Sequence, residues 1–270
     1  MTNTLAIEKE VVSIEIGGMA IALRTGDVPF RRLLEKRYAG FVGGSLDANA
    51  EFDIELCEPP QVATDDDLEV KIEAGEWLLS WGELRARWSP VTSQGRIRQS
   101  SNPYSIDCVI RIVHSLILAR RGGFLVHAAS AIRNGKAFLF SGVSGAGKTT
   151  ISRLAPPDAT LLSDEISYVR RERDGYAACG TPFAGELARV GENCSAPLSA
   201  LFLLEKGPRN SIAPITSTEA IQRLMRNILF FAHDAELVEL VFQAACEFAS
   251  KVPIHRLIFV PDERVWDLIW

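Results

Sequence analysis

The run Lys136-Ala-Phe-Leu-Phe-Ser-Gly142-Val-Ser-Gly-Ala-Gly-Lys148-Thr149-Thr150 decides the reading of this chain. Its second half satisfies G-x-x-x-x-G-K-[ST] in full, with an apolar strand before it and a helical segment after it, the context a phosphate loop requires. Gly142, Gly145 and Gly147 let the backbone curl until successive N–H groups point at phosphate oxygens, with Ser144, Ala146 and Thr150 completing the lining. The helix that opens at Gly147 adds its positive end. Lys148 neutralises charge on the β- and γ-phosphates, and the Thr149 hydroxyl is placed to ligate Mg²⁺. A plain glycine-rich strand-to-helix turn can look similar; the Lys-Thr pair and both flanks favour the phosphate loop. The expectation is a purine nucleoside triphosphate, written here as ATP, bound with Mg²⁺. Backbone contacts to phosphates do not choose between ATP and GTP.

Working outward, Thr160-Leu-Leu-Ser-Asp164-Glu165 ends an apolar strand in two adjacent carboxylates. If that strand runs parallel beside the P-loop strand, the pair reaches the γ-phosphate end of the nucleotide. One acid can then hold Mg²⁺ and the other can accept a proton from an attacking hydroxyl. The rest of the C-terminal half alternates: strands at Ala159–Leu162, Ser199–Leu204 and His255–Val260, helices at Ser217–Phe231 and Ala235–Ser250. Upstream, Tyr104–Arg120 places Ile106, Ile110, Val113, Ile117 and Leu118 on one helical face.

The first hundred residues read differently, as short strands at Val11–Ile16, Met19–Leu23, Phe52–Leu56, Leu68–Ile72, Glu76–Ser80 and Glu83–Trp88. Gly17-Gly18 and Ala74-Gly75 supply turns, and one helix is expected near Phe30–Tyr38. Asp65-Asp66-Asp67 and the polar stretch Ser93–Asn102 read as solvated loops, the second closing at Pro103. The expected organisation is a β-rich region over 1–103, suited to acceptor recognition, followed by an α/β nucleotide-binding domain over 104–270.

Composition narrows the class. The chain has 270 residues, 47% of them hydrophobic and 23% charged, which fits a globular enzyme and argues against wholesale disorder. A net charge of −5 argues against a dedicated nucleic-acid partner. The longest apolar segments, Val109–Leu118 and Leu237–Ala249, are interrupted by polar residues, so no membrane association is expected. Five dispersed cysteines without a C-x-x-C pair read as free thiols of a reducing compartment. With no basic-then-apolar leader at Met1, the expected address is cytoplasmic.

The C-terminal half resembles the catalytic domain of bacterial HPr serine kinases, and more closely the looser group of HPr-kinase-related proteins. The matching runs are Leu125-Val-His127-Ala-Ala-Ser, Gly142–Thr149, Leu162-Ser-Asp164-Glu165 and Gly180-Thr-Pro-Phe-Ala-Gly185-Glu186, with Pro197–Lys206 and Pro253–Trp266 beyond them. The likeness runs from about Gly123 to the C-terminus. It implies the nucleotide-binding fold shared with phosphoenolpyruvate carboxykinases and transfer of a γ-phosphoryl group to a serine or similar hydroxyl of a protein or peptide. It also implies a homo-oligomer. By position, His127 matches the histidine that assists the catalytic carboxylate, Asp164 the general base and Glu165 the metal-contacting acid. Glu186 matches the acid of the second signature.

The pair here is Asp-Glu where the family has Asp-Asp, and the N-terminal half does not match that of true HPr kinases. Two other classes stay open: a nucleotide-sensing module that no longer catalyses, and a small-molecule kinase. His127 could equally be a hydrogen-bonded structural side chain, and Gly185-Glu186-Leu187 could simply start a helix.

Overall fold

In a computed structural model, residues 9–43, 47–59 and 67–269 are described. The chain is mixed α/β with two sheets and divides into two compact units. One unit holds the residues up to His114 together with Phe231–His233; the other holds Ser115–Phe230 and Asp234–Trp270. No helix among the described residues is long and apolar enough to cross a membrane.

The N-terminal unit is built on seven strands, β1 (Glu10–Ile16), β2 (Met19–Thr25), β3 (Ala50–Leu56), β4 (Glu69–Glu73), β5 (Glu76–Trp81), β6 (Leu84–Trp88) and β7 (Gln94–Gln99), ordered β1-β2-β3-β7-β6-β5-β4. Helix α1 (Val28–Arg37) begins where Asp27 accepts the Phe30 amide at 2.7 Å and ends on Lys36 and Arg37, as helix-end charge preferences dictate. Alternation sorts the sheet into two faces. Ile14, Leu23, Phe52, Leu79, Trp88 and Ile97 go to the core, while Asp53, Glu55, Arg85, Arg87, Arg96 and Arg98 alternate with core residues along β3, β6 and β7. Asp107 is a polar anchor in this unit, accepting from the buried Tyr38 hydroxyl at 2.6 Å and from Arg37 at 2.5 Å.

The stretch Ser93–Asn102 is not a loop. Its residues Gln94–Gln99 form β7, a central strand parallel to β3 and antiparallel to β6. Only Ile97 carries an apolar side chain inward, beside a fully buried Gln99 whose amide donates to the Asn102 carbonyl at 2.9 Å. A strand with one inward hydrophobe gives almost no period-two signal. Of the acidic run, Asp65 and Asp66 lie outside the described residues.

Helix α2 (Pro103–Arg120) supplies residues to both units. In the C-terminal unit, β8 (Phe124–Arg133) turns tightly into β9 (Lys136–Ser141), the strand that leads into the glycine-rich loop, and α3 (Lys148–Arg153) follows the loop. Next come β10 (Thr160–Ser163), β11 (Ile166–Glu172), β12 (Gly175–Cys179), β13 (Ser195–Lys206), β14 (Ser211–Ala213), α4 (Ser217–Met225), α5 (Ala235–Lys251) and β15 (Ile254–Phe259). β9 and β15 both run parallel to β13, so Ser141 and Lys206 finish at one edge of the sheet. A core of Phe138, Phe140, Ile151, Phe202, Leu257 and Phe259 fixes α3 against these strands. Trp266 locks it by donating its indole N–H to the Ile151 carbonyl at 3.0 Å.

Two further expectations are corrected. The strand that ends in Asp164-Glu165 does not lie parallel beside the P-loop strand; β10 pairs antiparallel with β8. The helix expected over Ser217–Phe231 stops at Met225, because residues just beyond it have backbone partners on β8: the Asn227 carbonyl accepts the His127 amide at 2.7 Å and the Leu229 amide donates to Leu125 at 2.9 Å.

Candidate functional site

The phosphate-loop motif sits at the sheet edge where β9 ends. Gly147 cannot be replaced by a residue with a side chain without strain, since its φ is +112° and a Cβ would lie 2.6 Å from the Phe259 ring. The loop is therefore held against the core by the close approach of Phe259. Lys148, only 8% exposed, donates its ammonium to the carbonyls of Gly142 at 2.9 Å and Val143 at 3.3 Å, the loop's own backbone. Burial lowers its pKa, opposed by the charges of Glu186 and Glu165.

A cleft of about 250 Å³ opens over this loop. It is lined by Ser144, Gly145, Gly147, Lys148, Thr149 and Thr150 from the loop and α3, and by His127, Asp164, Glu165 and Glu186. These residues come from four separate places in the chain. Gly142 and Ala146 are buried and are not among the residues that line the cleft. Thr149 donates its hydroxyl to a Glu186 carboxylate oxygen at 3.0 Å.

Asp164 reaches the cleft from the end of β10, which pairs with β8 and not with β9. It is 3% exposed, and both carboxylate oxygens accept backbone amides, Gly185 at 2.8 Å and Leu187 at 2.9 Å. The carboxylate thus clamps the Gly185–Leu187 turn and presents Glu186 to Thr149. Gly185 is required there: a Cβ would come within 2.9 Å of both Asp164 Oδ2 and Glu165 Cβ. The segment does not start a helix. Thr181 ties its other end, donating its hydroxyl to the Ile166 carbonyl at 2.9 Å and its amide to Leu162 at 3.0 Å. At the β10–β11 junction, Ser163 accepts the amides of Glu165 and Ile166 at 3.2 and 3.0 Å, fixing the turn that carries both acids.

His127 lies on β8 opposite Ile166 of β11 and reaches the cleft from the side. Burial, with a smaller contribution from the Lys148 charge, holds its pKa below the ordinary 6.5, which leaves the ring neutral at pH 7. Lys206, at the end of β13, also lines the cleft and was not anticipated from the sequence. Its one sequence signal is a cation at the carboxyl end of an apolar strand, the edge at which α/β sheets place ligands.

Among the described residues no three of His, Cys, Asp and Glu stand close enough to hold a metal ion together. A divalent ion beside Thr149 would therefore draw on phosphate oxygens and water, with Glu165 or Glu186, as Mg²⁺ commonly does. The five cysteines are free thiols, and burial pushes Cys108 and Cys179 up to about 11, which leaves them unreactive.

The family model described as "SynChlorMet cassette protein ScmC" matches residues 103–269, more than half of the chain. The chain belongs to the ScmC family. The matched span contains every residue that lines the cleft. No curated protein matches the chain. Among solved structures, the Hpr(Ser) kinase/phosphatase from Coxiella burnetii aligns with 46% of this ScmC-family chain and 88% of its own, at 15% identity and a TM-score of 0.25. A likeness at that level decides neither fold nor activity.

Proposed function

We propose that the C-terminal unit is a Mg²⁺-dependent kinase, transferring the γ-phosphoryl group of ATP to a serine or similar hydroxyl of a protein or peptide. The observation that carries this reading is the convergence of a P-loop lysine and threonine with three carboxylates and a neutral histidine in one cleft. Lys148 leaves its backbone carbonyls to bridge the β- and γ-phosphates, where its charge opposes the charge that develops in transfer. Thr149, with Glu165 and Glu186 directly or through water, would hold the Mg²⁺. Mg²⁺ supplies charge neutralisation on the phosphates. Asp164 keeps one unused lone-pair site on each oxygen, enough to orient the acceptor hydroxyl and receive its proton. As that proton leaves, the acceptor oxygen bonds to the γ-phosphorus and the bond to ADP breaks. His127 lines the same cleft as a neutral side chain, adding no charge of its own.

The test is incubation of the purified chain with γ-labelled ATP, Mg²⁺ and a lysate of its host. The expected result is a labelled polypeptide band that disappears for Lys148→Ala and Asp164→Ala. Intact nucleotide binding with no labelled band and no ADP release would refute the kinase. A second reading, a nucleotide sensor without turnover, is favoured by one observation: both Asp164 oxygens already serve the Gly185–Leu187 turn.

A further inference from the structure

The N-terminal sheet carries a charged face of its own. Along β6 and β7 four of the outward positions are arginine, and the register sets Arg85 directly opposite Arg98 and Arg87 directly opposite Arg96. Like charges directly opposed on one sheet face destabilise the pairing. Here two successive rungs do so, in the centre of the sheet and on exposed side chains.

Neighbouring carboxylates neutralise them only in part. Asp53 pairs with Lys9 at 3.1 Å, and Glu55 holds Arg98 only loosely at 3.7 Å. Arg85 donates to its own hairpin, to the carbonyls of Gly82 and Leu84. Among the described residues Arg87 and Arg96 form no ion pair. The four arginines line a concavity of about 940 Å³ on this face, with Glu55 and Glu69 among its other lining residues.

We propose that this face binds an acidic polypeptide segment in extended conformation, with carboxylates on alternate residues. Side chains on one face of a strand repeat every two residues, roughly 7 Å, and an extended peptide has the same repeat. An acid-x-acid segment lying along β6 and β7 therefore sets one carboxylate at each arginine rung. Each guanidinium pair can grip its carboxylate with charge-assisted hydrogen bonds. The acidic flanks select a peptide over a nucleic acid. Glu55 and Glu69 repel a continuous phosphate backbone, whereas a peptide can meet them with its own lysines or with neutral residues. The unfavourable arginine pairing is then a cost to the free protein that the ligand relieves.

The probe is a fluorescent peptide of alternating Glu and Ser, titrated by anisotropy against the full chain. Comparators are the same composition with its Glu residues clustered at one end, and a short single-stranded DNA. The alternating peptide is expected to bind, to bind several-fold tighter than the clustered one, and to weaken when salt rises from about 0.05 to about 0.3 M. Arg87→Gln with Arg96→Gln should cost about tenfold or more in affinity, for loss of charge-assisted contacts. The same double variant should melt at an equal or higher temperature, because it removes a like-charge rung, so lost binding is not lost folding. Its ATP binding should be unchanged, which keeps this test separate from that of the kinase. No binding at low salt, equal binding by the double variant, or tighter binding of the DNA would each overturn the proposal.

Discussion

At the residue scale, the sequence discloses what a short spacing encodes. Gly142 to Thr150 is one local motif, and each of its members can be assigned from order alone. Asp164 shows where that stops. Its carboxylate is legible as a candidate acid, but its two amide partners lie 21 and 23 residues away and become visible only after folding. Lys206 was missed for the same reason, because a lone cation at a strand end has no partner in sequence. His127 yields a pH prediction. Its folded pKa is lowered below 6.5 by burial and by Lys148, so the unfolded chain takes up the proton first as pH falls. The stability that neutral His127 preserves is complete above the ordinary imidazole value and is lost as pH drops through it toward the depressed one. Melting temperatures from pH 8 to pH 5 should therefore fall less steeply for His127→Gln than for the parent. Parallel curves would remove His127 as the source.

At the element scale, legibility follows the strength of the periodic signal. The hairpin around Gly17-Gly18 and helix α2 were readable because turn residues and apolar spacing agreed. β7 was not, since its place in the sheet centre comes from pairing on both edges and not from its own hydrophobicity. β10 was found as a strand, but its antiparallel place on β8 is a property of topology that an apolar run does not specify. The turn Gly185–Leu187 is the element that gathers the site, and Asp164 is the side chain that holds it. Asp164→Asn keeps one acceptor and sets an NH₂ group against a backbone N–H. Hydrogen exchange at the Gly185 and Leu187 amides should then rise by about tenfold or more, the equivalent of roughly one lost hydrogen bond. Unchanged exchange at both amides would mean that the clamp does not hold the turn.

At the scale of the whole molecule, two units carry two kinds of surface. The C-terminal unit, which contains most of the ScmC-family match, gathers a lysine, a threonine and acids around a glycine loop. The N-terminal unit sets opposed arginines on an exposed sheet face. Binary patterning reads the first hundred residues as short strands, yet neither it nor a net charge of −5 gives a hint of that arginine quartet. Its charges are spread over two strands, one of them unrecognised, and they meet only through register. The central claim concerns the glycine loop, and calorimetric titration of the full chain with ATP in the presence of Mg²⁺ tests it most directly. Saturable binding of a single nucleotide per chain is expected, weakened about tenfold or more by Lys148→Ala, which removes the charge on the phosphates. Absence of binding, or binding that Lys148→Ala leaves untouched, would contradict it.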